Sequence, residues 1–271
     1  MNRFLLWVFI FGSSQSYMMA HALEQMTMLH PVFGAYTVTY ENRGGYAIAE
    51  DDILLGKVAG FRMNAMLTRL EAGRWSQGII PYEMDEYLPR ANAYAIRDAI
   101  ELWEQHADVH FVKLTERNRD QYPDYVAFVA VNGSTCASFV GRQGGRQEVQ
   151  LSTRCKLMTT VHEIGHLLGL WHEQSRSDRD LYVRILWENI EEGHEYNFSQ
   201  HLTTNGDYGN YDYESIMHYS PYAFSKNGQK TITPLFPGIL IGQRDRISDG
   251  DIAAVRMMYS TSDKRESQHV K

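Results

Sequence analysis

The histidines of one stretch of eleven residues constrain this chain more than any other feature of its sequence. The stretch runs from His162 to His172 and reads HEIGHLLGLWH. Histidines four residues apart on an α-helix lie on one face, with Cβ atoms about 5 to 6 Å apart, so His162 and His166 can reach one metal ion. Glu163 projects beside them and need not be a ligand. The spacing predicts a helix that carries a metal site.

A third ligand, His172, requires that the chain turn after this helix. On a continued helix, ten residues at about 100° each would bring His172 to the opposite face and about 15 Å along the axis. Gly169 can end the helix in a left-handed conformation, which only glycine adopts without steric cost. Three neutral imidazoles and one open position for water suit a single Zn²⁺ ion per chain.

Two other interpretations of these residues involve no catalysis. One is an amphipathic core helix that carries the histidines by accident. The other is a purely structural zinc site, but structural sites are closed and usually rich in cysteine. We therefore expect a catalytic centre.

Composition indicates a globular protein without nucleic-acid or membrane partners. The 271 residues are 44% hydrophobic and 22% charged, which suffices for the core of one large domain or two small ones. Acidic side chains outnumber basic ones by 33 to 26, and the net charge of -7 has the wrong sign for neutralising phosphates. The longest apolar run, Phe4 to Gly12, is shorter than the roughly 20 residues of a membrane span.

The N-terminus is typical of a secretory signal peptide. Arg3 precedes the apolar run, and Ala20-His21-Ala22 follows it as a small-x-small cleavage site. We expect cleavage after Ala22 and a secreted or extracytoplasmic location. A buried N-terminal helix is the alternative, because the residues before the cleavage site are bulky.

Hydrophobic periodicity predicts an α+β fold. Residues 92–107 place apolar side chains at helical spacing, and a capping pattern at Ser248 begins a short helix that ends near Tyr259. Residues 23–63 show few periodic stretches and suggest an extended pro-region, and the chain beyond residue 173 is loop-rich. Four further segments have strand patterns: Ile79 to Tyr82, Val109 to Leu114, Tyr125 to Val131 and Glu148 to Ser152.

These residues carry a resemblance to a known family. HEIGHLLGLWH matches the metzincin zinc signature. Its continuation, Glu173 to Asp180, resembles the astacin family, and its sequence is most similar to meprin and tolloid catalytic domains. Further counterparts of astacin motifs are the Met-turn stretch Ser215 to Tyr219, the stretch Ile241 to Arg244, and Cys136 to Gly141. The resemblance covers roughly residues 75–259.

The resemblance implies a metzincin fold and a secreted zinc metalloendopeptidase. In that fold, an N-terminal twisted and mostly parallel sheet with two long helices faces a loop-rich C-terminal subdomain with a short helix, and the active-site cleft lies between them. From the chemistry, Glu163 would act as general base on the zinc-bound water. The family implies that Met217 forms a hydrophobic floor under the metal and that Tyr219 stabilises the oxyanion. Plain packing of both side chains is the alternative.

The resemblance also implies a latent precursor. Glu173 is similar to the family glutamate that pairs with the ammonium group of the mature N-terminus, which analogy places near Asn64 to Met66; a solvated charge is the alternative. Residues 49–53 resemble the astacin inhibitory motif Phe-Glu-Gly-Asp, whose aspartate occupies the water position on zinc. Asp52 matches that aspartate. Because Asp51 replaces the glycine and Ala49 the phenylalanine, the sequence leaves open whether Asp51 or Asp52 reaches the metal. The alternative interpretation of these residues is an acidic surface loop.

Two further expectations follow from the family. Astacins usually carry two disulfides, but the positions of one pair, Asp108 and the tail after Tyr259, offer no sulfur. Cys136 and Cys155, the only cysteines, would form the remaining bridge and contribute about 3 kcal/mol by closing a loop of about 20 residues. Arg244 resembles the basic residue that gives family members a preference for acidic side chains just after the scissile bond; a surface salt bridge is the alternative.

The predicted organisation is a signal peptide over residues 1–22, a pro-region over 23–65, a catalytic domain over 66–260 and a polar tail over 261–271. The partners would be protein or peptide substrates and an activating protease, with the chain a monomer. Two competing functions remain: a catalytically silent binding module, against which the intact Glu163 argues, and a zinc amidase that acts on cell-wall peptides.

Overall fold

The computed structural model describes residues 23–30, 34–58, 73–201 and 207–259. Three predictions lie outside these residues: the signal peptide over 1–22, the mature N-terminus near 64–66 and the polar tail over 261–271. Within the described residues, no helix combines the length and the apolar character that crossing a membrane requires.

Residues 23–57, which the sequence analysis interprets as an extended pro-region, contain four strands. The strands are β1 (Leu23–His30), β2 (Gly34–Arg43), β3 (Tyr46–Ala49) and β4 (Ile53–Lys57), and each pairs antiparallel with the next. Gly44 and Gly45 make the turn between β2 and β3 with φ of 61° and 86°, which glycine adopts freely. The few periodic stretches gave no sign of individual strands, because the apolar residues of β3 and β4 find partners elsewhere in the chain: Ile48 and Leu54 pack with Ala137.

Five strands of the following region continue the same sheet. They are β5 (Ile79–Met84), β6 (His110–Lys113), β7 (Tyr125–Ala130), β8 (Cys136–Ser138) and β9 (Arg146–Leu151), and the full order is β1-β2-β3-β4-β8-β9-β7-β5-β6. The mostly parallel sheet of the prediction is confirmed for β5, β6, β7 and β9, which pair only in parallel with one another. The whole sheet is mixed, because β8 runs antiparallel to β9 and parallel to β4.

Two helices pack together beside this sheet. Helix α1 (Arg90–His106) buries Ile96, Ile100 and Trp103, as its periodicity predicts. Helix α2 (Leu157–Leu168) has only 12 residues, so the second of the two long helices is shorter than expected. The Trp103 indole donates to the carbonyl of Val161 at 3.0 Å and ties α1 to α2. The predicted disulfide between Cys136 and Cys155 joins β8 to the segment before α2.

The C-terminal part is rich in loops and single helical turns, as predicted. Its sheet has two strands, β10 (Val183–Ile185) and β11 (Ile232–Pro234), which cover a separate small core around Phe198. Helix α3 (Asp249–Tyr259) begins with the predicted cap, since Ser248 Oγ accepts the Asp251 N–H at 2.9 Å and the Asp251 carboxylate accepts the Ser248 N–H at 3.0 Å.

Candidate metal centre

Helix α2 and the turn after it carry the three histidines of the sequence motif. His162 and His166 lie one turn apart on α2, and the helix ends at Gly169, whose φ of 113° is left-handed. The amide of Leu170 then donates to the Gly165 carbonyl at 3.0 Å and closes the turn. The chain therefore reverses where the sequence predicts, and His172 returns to the same side as the other two rings.

The three rings converge on one carboxylate, that of Asp52. The Asp52 carboxylate lies 3.2 Å from Nε2 of His162, 3.4 Å from Nε2 of His166 and 3.2 Å from Nε2 of His172. The four ligand atoms lie within 4.8 Å of one another, and each histidine is at most 2% exposed. One ion can therefore contact all four groups.

The opposite ring nitrogens fix the orientation of each imidazole. Nδ1 of His162 lies 2.8 Å from the Ile216 carbonyl, and Nδ1 of His166 lies 2.8 Å from the Leu170 carbonyl. A carbonyl only accepts hydrogen bonds, so both Nδ1 atoms carry the proton and both Nε2 lone pairs face the centre. Such outer contacts are what metal-ligating histidines require.

The chemistry of the donor set fits a zinc ion. Asp52 Oδ1, His166 Nε2 and His172 Nε2 are buried and have no hydrogen-bond partner among the described residues, an arrangement that is unfavourable unless something bridges them. Three imidazole nitrogens and a carboxylate oxygen are typical zinc ligands. Burial lowers the pKa of His162 to about 3; although burial also acts on His172, the Asp52 and Glu50 carboxylates raise its pKa to about 9. The local charge thus favours a cation.

Of the two candidate aspartates, Asp52 is the one that faces the histidines. Glu50 and Asp51 have φ of 47° and 70°, and this left-handed turn directs the following side chain towards the centre. The Asp51 carboxylate instead pairs with Arg43 at 2.8 Å and is half exposed. The departure of residue 51 from glycine is tolerated because aspartate adopts the left-handed conformation more easily than most residues.

Glu163 lies on α2 between the ligands and is almost completely buried. Its Oε2 has no hydrogen-bond partner within the described part of the chain. Burial, followed by the charge of Asp52, raises the pKa of Glu163 well above its usual range, and the charge of Arg244 opposes this only in part. Burial and the Asp52 charge therefore both disfavour the ionised form of Glu163.

Met217 and Tyr219 flank the histidines from the loop-rich part. A Cβ on Gly165 would lie 2.7 Å from the Met217 sulfur, so the methionine packs directly beneath the helix that bears the ligands. The Tyr219 ring lies 4.7 Å from the His172 ring, and its hydroxyl donates to the carbonyl of Glu50 at 2.7 Å. Burial, with a smaller effect of Asp52, raises the pKa of Tyr219 well above its usual range.

Arg244 lies near the metal centre. It does not form the surface salt bridge that the sequence analysis gave as the alternative interpretation. Its Nη1 donates to the carbonyls of His218 and Gln243 at 2.9 and 2.8 Å, and no ion pair to it is found among the described residues. Burial lowers the pKa of Arg244, while the charges of Asp52 and Glu163 oppose the change.

Glu173 lies on the far side of the third ligand and borders a cavity of about 30 Å³ that Met217 and Asp212 also line. Its Oε1 accepts the Asp212 N–H at 2.6 Å. Burial raises the pKa of Glu173 to about 8, despite this bond and the charge of Arg176. The chain end that the sequence analysis pairs with Glu173 lies outside the described residues.

Sequence reasoning missed a group of polar side chains beside His172. The Glu50 carboxylate accepts from Nδ1 of His172 and from the Ser175 hydroxyl, each at 2.9 Å, and also contacts Nε2 of His201. Glu50 stands within the recognised inhibitory motif, and its charge could have been considered. Nothing in the sequence marks His201 as part of the site, because it is remote from the zinc motif and no potential ligand stands near it at the spacing of a metal site.

Comparison with known proteins agrees with this geometry. The sequence profile of the Astacin peptidase family matches residues 67–260. Protein SpAN of Strongylocentrotus purpuratus is 37% identical over 210 residues, which are 74% of this chain but only 34% of that protein. High choriolytic enzyme 2 of Oryzias latipes is 35% identical over 237 residues, which are 84% of this chain and 81% of that one.

A solved structure is similar in both sequence and fold. It is High choriolytic enzyme 1, a hatching enzyme zinc-protease from Oryzias latipes, with 37% identity and a TM-score of 0.62 over 69% of this chain and 92% of that one. Some relatives are much longer, and this chain spans between about a third and a half of the length of the first three that it matches.

Proposed function

Since the chain belongs to the astacin family of peptidases, we propose that it is a secreted zinc metalloendopeptidase that is made as a latent precursor. The observation that supports this most directly is the convergence of His162, His166 and His172 on one buried point. Its substrates are proteins or peptides. The pro-region over residues 23–65 and the catalytic domain over 66–260 are the units of this proposal.

The residues around the centre suit the hydrolysis of a peptide bond. When bound by the three histidines, zinc supplies a Lewis acid that lowers the pKa of water and polarises a carbonyl. Glu163, adjacent to the first ligand, accepts the proton of the attacking water and returns it to the leaving amine. The Tyr219 hydroxyl, once it no longer donates to Glu50, is free to stabilise the oxyanion. Met217 supports the helix from below.

Residues 50–52 engage all of these groups at once, which supports latency. The Asp52 carboxylate occupies the point where the three rings meet, and the Glu50 carbonyl holds the Tyr219 hydroxyl. The Asp52 charge adds to burial in raising the pKa of Glu163, which opposes its action as a base. Removal of the pro-region by an activating protease would free the metal position, the hydroxyl and the base together.

Glu173 connects activation to the fold of the catalytic domain. A carboxyl group whose pKa is raised by burial is unfavourable as an anion without a cationic partner. Cleavage near residues 64–66 would create an ammonium group, and the cavity beside Glu173 could admit it. The resulting ion pair would tie the new chain end to the residue next to the third ligand.

Arg244 supports a preference for acidic side chains after the scissile bond. Its guanidinium is held near Asp52 and Glu163 by backbone carbonyls alone, so donors remain for a carboxylate of the substrate.

Metal analysis combined with peptide cleavage tests the proposal. The processed enzyme is expected to contain one zinc ion per chain, to cleave a peptide library, and to lose both properties on chelation. A processed protein that binds zinc but cleaves nothing would favour the silent binding module. Cleavage confined to cell-wall fragments would favour the amidase, and a metal-free protein would refute the proposal.

A further inference from the structure

A pocket for a carboxylate lies beside the third histidine, and its donors belong to the catalytic domain. Its walls are the Ser175 hydroxyl, Nδ1 of His172 and Nε2 of His201, all directed at the side chain of Glu50. Glu50 is only 7% exposed, and Ser175 and His172 are at most 1% exposed. This is a built binding site and not a surface contact.

The catalytic domain holds this pocket open by its own contacts. The backbone N–H of His201 donates to the Ser175 carbonyl at 2.7 Å, which fixes His201 next to the turn that follows the third ligand. The His201 ring packs on the Trp171 ring with centroids 4.5 Å apart. Neither contact involves the pro-region, so the donors stay in place when Glu50 leaves.

The donors have no other acceptor of negative charge within the described residues. Glu50 is the one carboxylate that the structure places against His201 and against Ser175. Both oxygens of Glu50 are bound, which satisfies a carboxylate far better than a neutral amide, because charged acceptors form the stronger hydrogen bonds. The pocket is therefore selective for an acidic group.

The pocket lies next to the reacting atoms. The carbonyl of the same residue, Glu50, accepts the Tyr219 hydroxyl, and the carboxylate of Asp52 faces all three ligands. A peptide bond held by Tyr219 thus brings the side chain of an adjoining residue to His201 and Ser175. Arg244 is not among the donors to Glu50, and its Nη1 donates to the carbonyls of His218 and Gln243.

We propose that His201 and Ser175 form a second acid-selective subsite of the processed enzyme, separate from Arg244, which binds an aspartate or glutamate side chain of the substrate flanking the scissile bond. The inference rests on the proposed peptidase function. In the precursor, Glu50 occupies this subsite, so the pro-region imitates an acidic substrate as well as covering the metal. The substrate carboxylate would also restore the hydrogen bond of Nδ1 of His172.

A binding experiment tests the subsite without turnover. The probe is a synthetic peptide with the sequence of residues 46–57, with either Glu50 or the Glu50→Gln substitution, added to processed protein that carries Glu163→Gln. We expect the glutamine peptide to bind about tenfold more weakly, because a charged hydrogen bond is replaced by a neutral one. With His201→Phe, which keeps the ring but removes the N–H, the difference between the two peptides should shrink, because only the donors of Ser175 and His172 remain. A difference as large as with the intact His201 would refute the assignment.

A cleavage experiment then locates the subsite in the substrate. Peptides with glutamate or glutamine at each of two positions on either side of the scissile bond are compared with processed wild type. At one position, kcat/KM should favour glutamate about tenfold, and His201→Phe and Ser175→Ala should remove this preference while Arg244→Ala leaves it intact. The proposal is overturned if none of these positions shows a glutamate preference that depends on His201 and Ser175.

Controls separate this failure from a failure of the proposed function. His201→Phe and Ser175→Ala are each assayed for zinc content and thermal unfolding, which should remain near wild type if only the subsite is lost. His110→Phe, at an exposed position on β6, should change neither the difference in peptide binding nor the glutamate preference in cleavage. If His201→Phe does not fold, the glutamate preference of Ser175→Ala alone tests the proposal. Loss of zinc and of all cleavage in the wild-type enzyme would refute the function itself.

Discussion

Single residues around the metal centre are influenced by the turn over residues 50–52. Glu163 illustrates this, since burial and the charge of Asp52 raise the pKa of its carboxyl group well above the usual range, while the charge of Arg244 opposes the change in part. A general base needs the ionised state, so the loss of Asp52 from the site would favour the role that we propose for Glu163.

The substitution Glu163→Gln separates metal binding from proton transfer. Glutamine keeps the size of the side chain and leaves the three histidines untouched, so zinc content should not change. Without a carboxylate to accept the proton, kcat of the processed enzyme should fall by about 10² to 10⁴. Metal analysis and steady-state kinetics on the same preparation measure both effects. Unchanged turnover would reject Glu163 as the base.

The substitution Gly165→Ala tests the contact between α2 and Met217. Helix propensity alone favours alanine over glycine by about 1 kcal/mol. The new Cβ, however, would lie 2.7 Å from the sulfur of Met217, which is 1% exposed and has little room to move. Overpacking of this kind costs about 1 to 3 kcal/mol. We expect a lower free energy of unfolding by denaturant.

The double variant with Met217→Ala is the matched control for this contact. With the sulfur gone, Gly165→Ala should no longer destabilise and should show only its helix propensity. If Gly165→Ala stabilises the protein while Met217 is intact, the close packing beneath the helix is refuted.

At the scale of elements, local sequence signals predicted what local interactions determine. The periodicity of α1, the alternation that includes β6, the left-handed end of α2 at Gly169 and the cap at Ser248 all depend on residues within a few positions. The zinc-ligand spacing belongs to the same class. These features of the fold and of the candidate site could be read from the sequence alone.

Elements that depend on distant partners could not be predicted in this way. Strand β4 pairs with β8 through Ile53 and Ser138, and Ile48 and Leu54 pack with Ala137. Nothing near residue 53 in the sequence indicates that it pairs with residues 136–138. The contact between Glu50 and His201 spans 151 residues of sequence. Neither residue has the regular spacing that revealed the histidines of α2, so only the folded chain shows their association.

The turn over residues 50–52 allows a direct test of which aspartate enforces latency. Asp52→Asn in the unprocessed chain should raise basal peptidase activity above that of the wild-type precursor, because an amide is a weaker ligand for a metal ion and no longer adds charge beside Glu163. The increase is measured against the fully processed enzyme. A variant as latent as wild type would remove Asp52 from the switch.

Asp51→Asn is the matched control for that experiment. It removes the same charge one residue earlier and keeps a side chain that tolerates the left-handed φ of 70°. Because Asp51 pairs with Arg43 and not with the histidines, this precursor should stay latent. Equal activation by both variants would mean that charge in the turn, and not ligation by Asp52, controls latency.

At the scale of the whole molecule, strands β1 to β4 share one sheet with β5 to β9. The Glu41 carboxylate on β2 also makes polar contacts: it pairs with Arg43 at 2.8 Å and accepts the Tyr196 hydroxyl at 2.9 Å. Nδ1 of His194 lies 3.7 Å from the same carboxylate. We therefore infer that the attachment of β2 to the rest of the chain depends in part on a charged Glu41.

Acid should weaken this contact. Burial tends to raise the pKa of Glu41, but the hydrogen bonds and charges of Arg43, Tyr196 and His194 outweigh it, so the pKa lies below its usual value of 4.5. A carboxylate whose pKa is lowered by folding stabilises the folded state above the unfolded pKa, and this stabilisation disappears as pH falls through the lowered value. Glu41→Gln should therefore destabilise the precursor by about 1 kcal/mol at neutral pH.

Denaturant unfolding of wild type and Glu41→Gln from pH 7 to pH 3 measures this dependence. The difference in free energy of unfolding should be constant above the usual pKa and shrink below it, while other carboxylates, including Glu50 and Asp52, titrate alike in both proteins and cancel. Glu192→Gln, at an exposed position, should show no such difference at any pH. A Glu41→Gln difference that persists unchanged to pH 3 would show that the contact acts through packing, because a charge-dependent contact between β2 and the catalytic domain has to vanish once Glu41 is protonated.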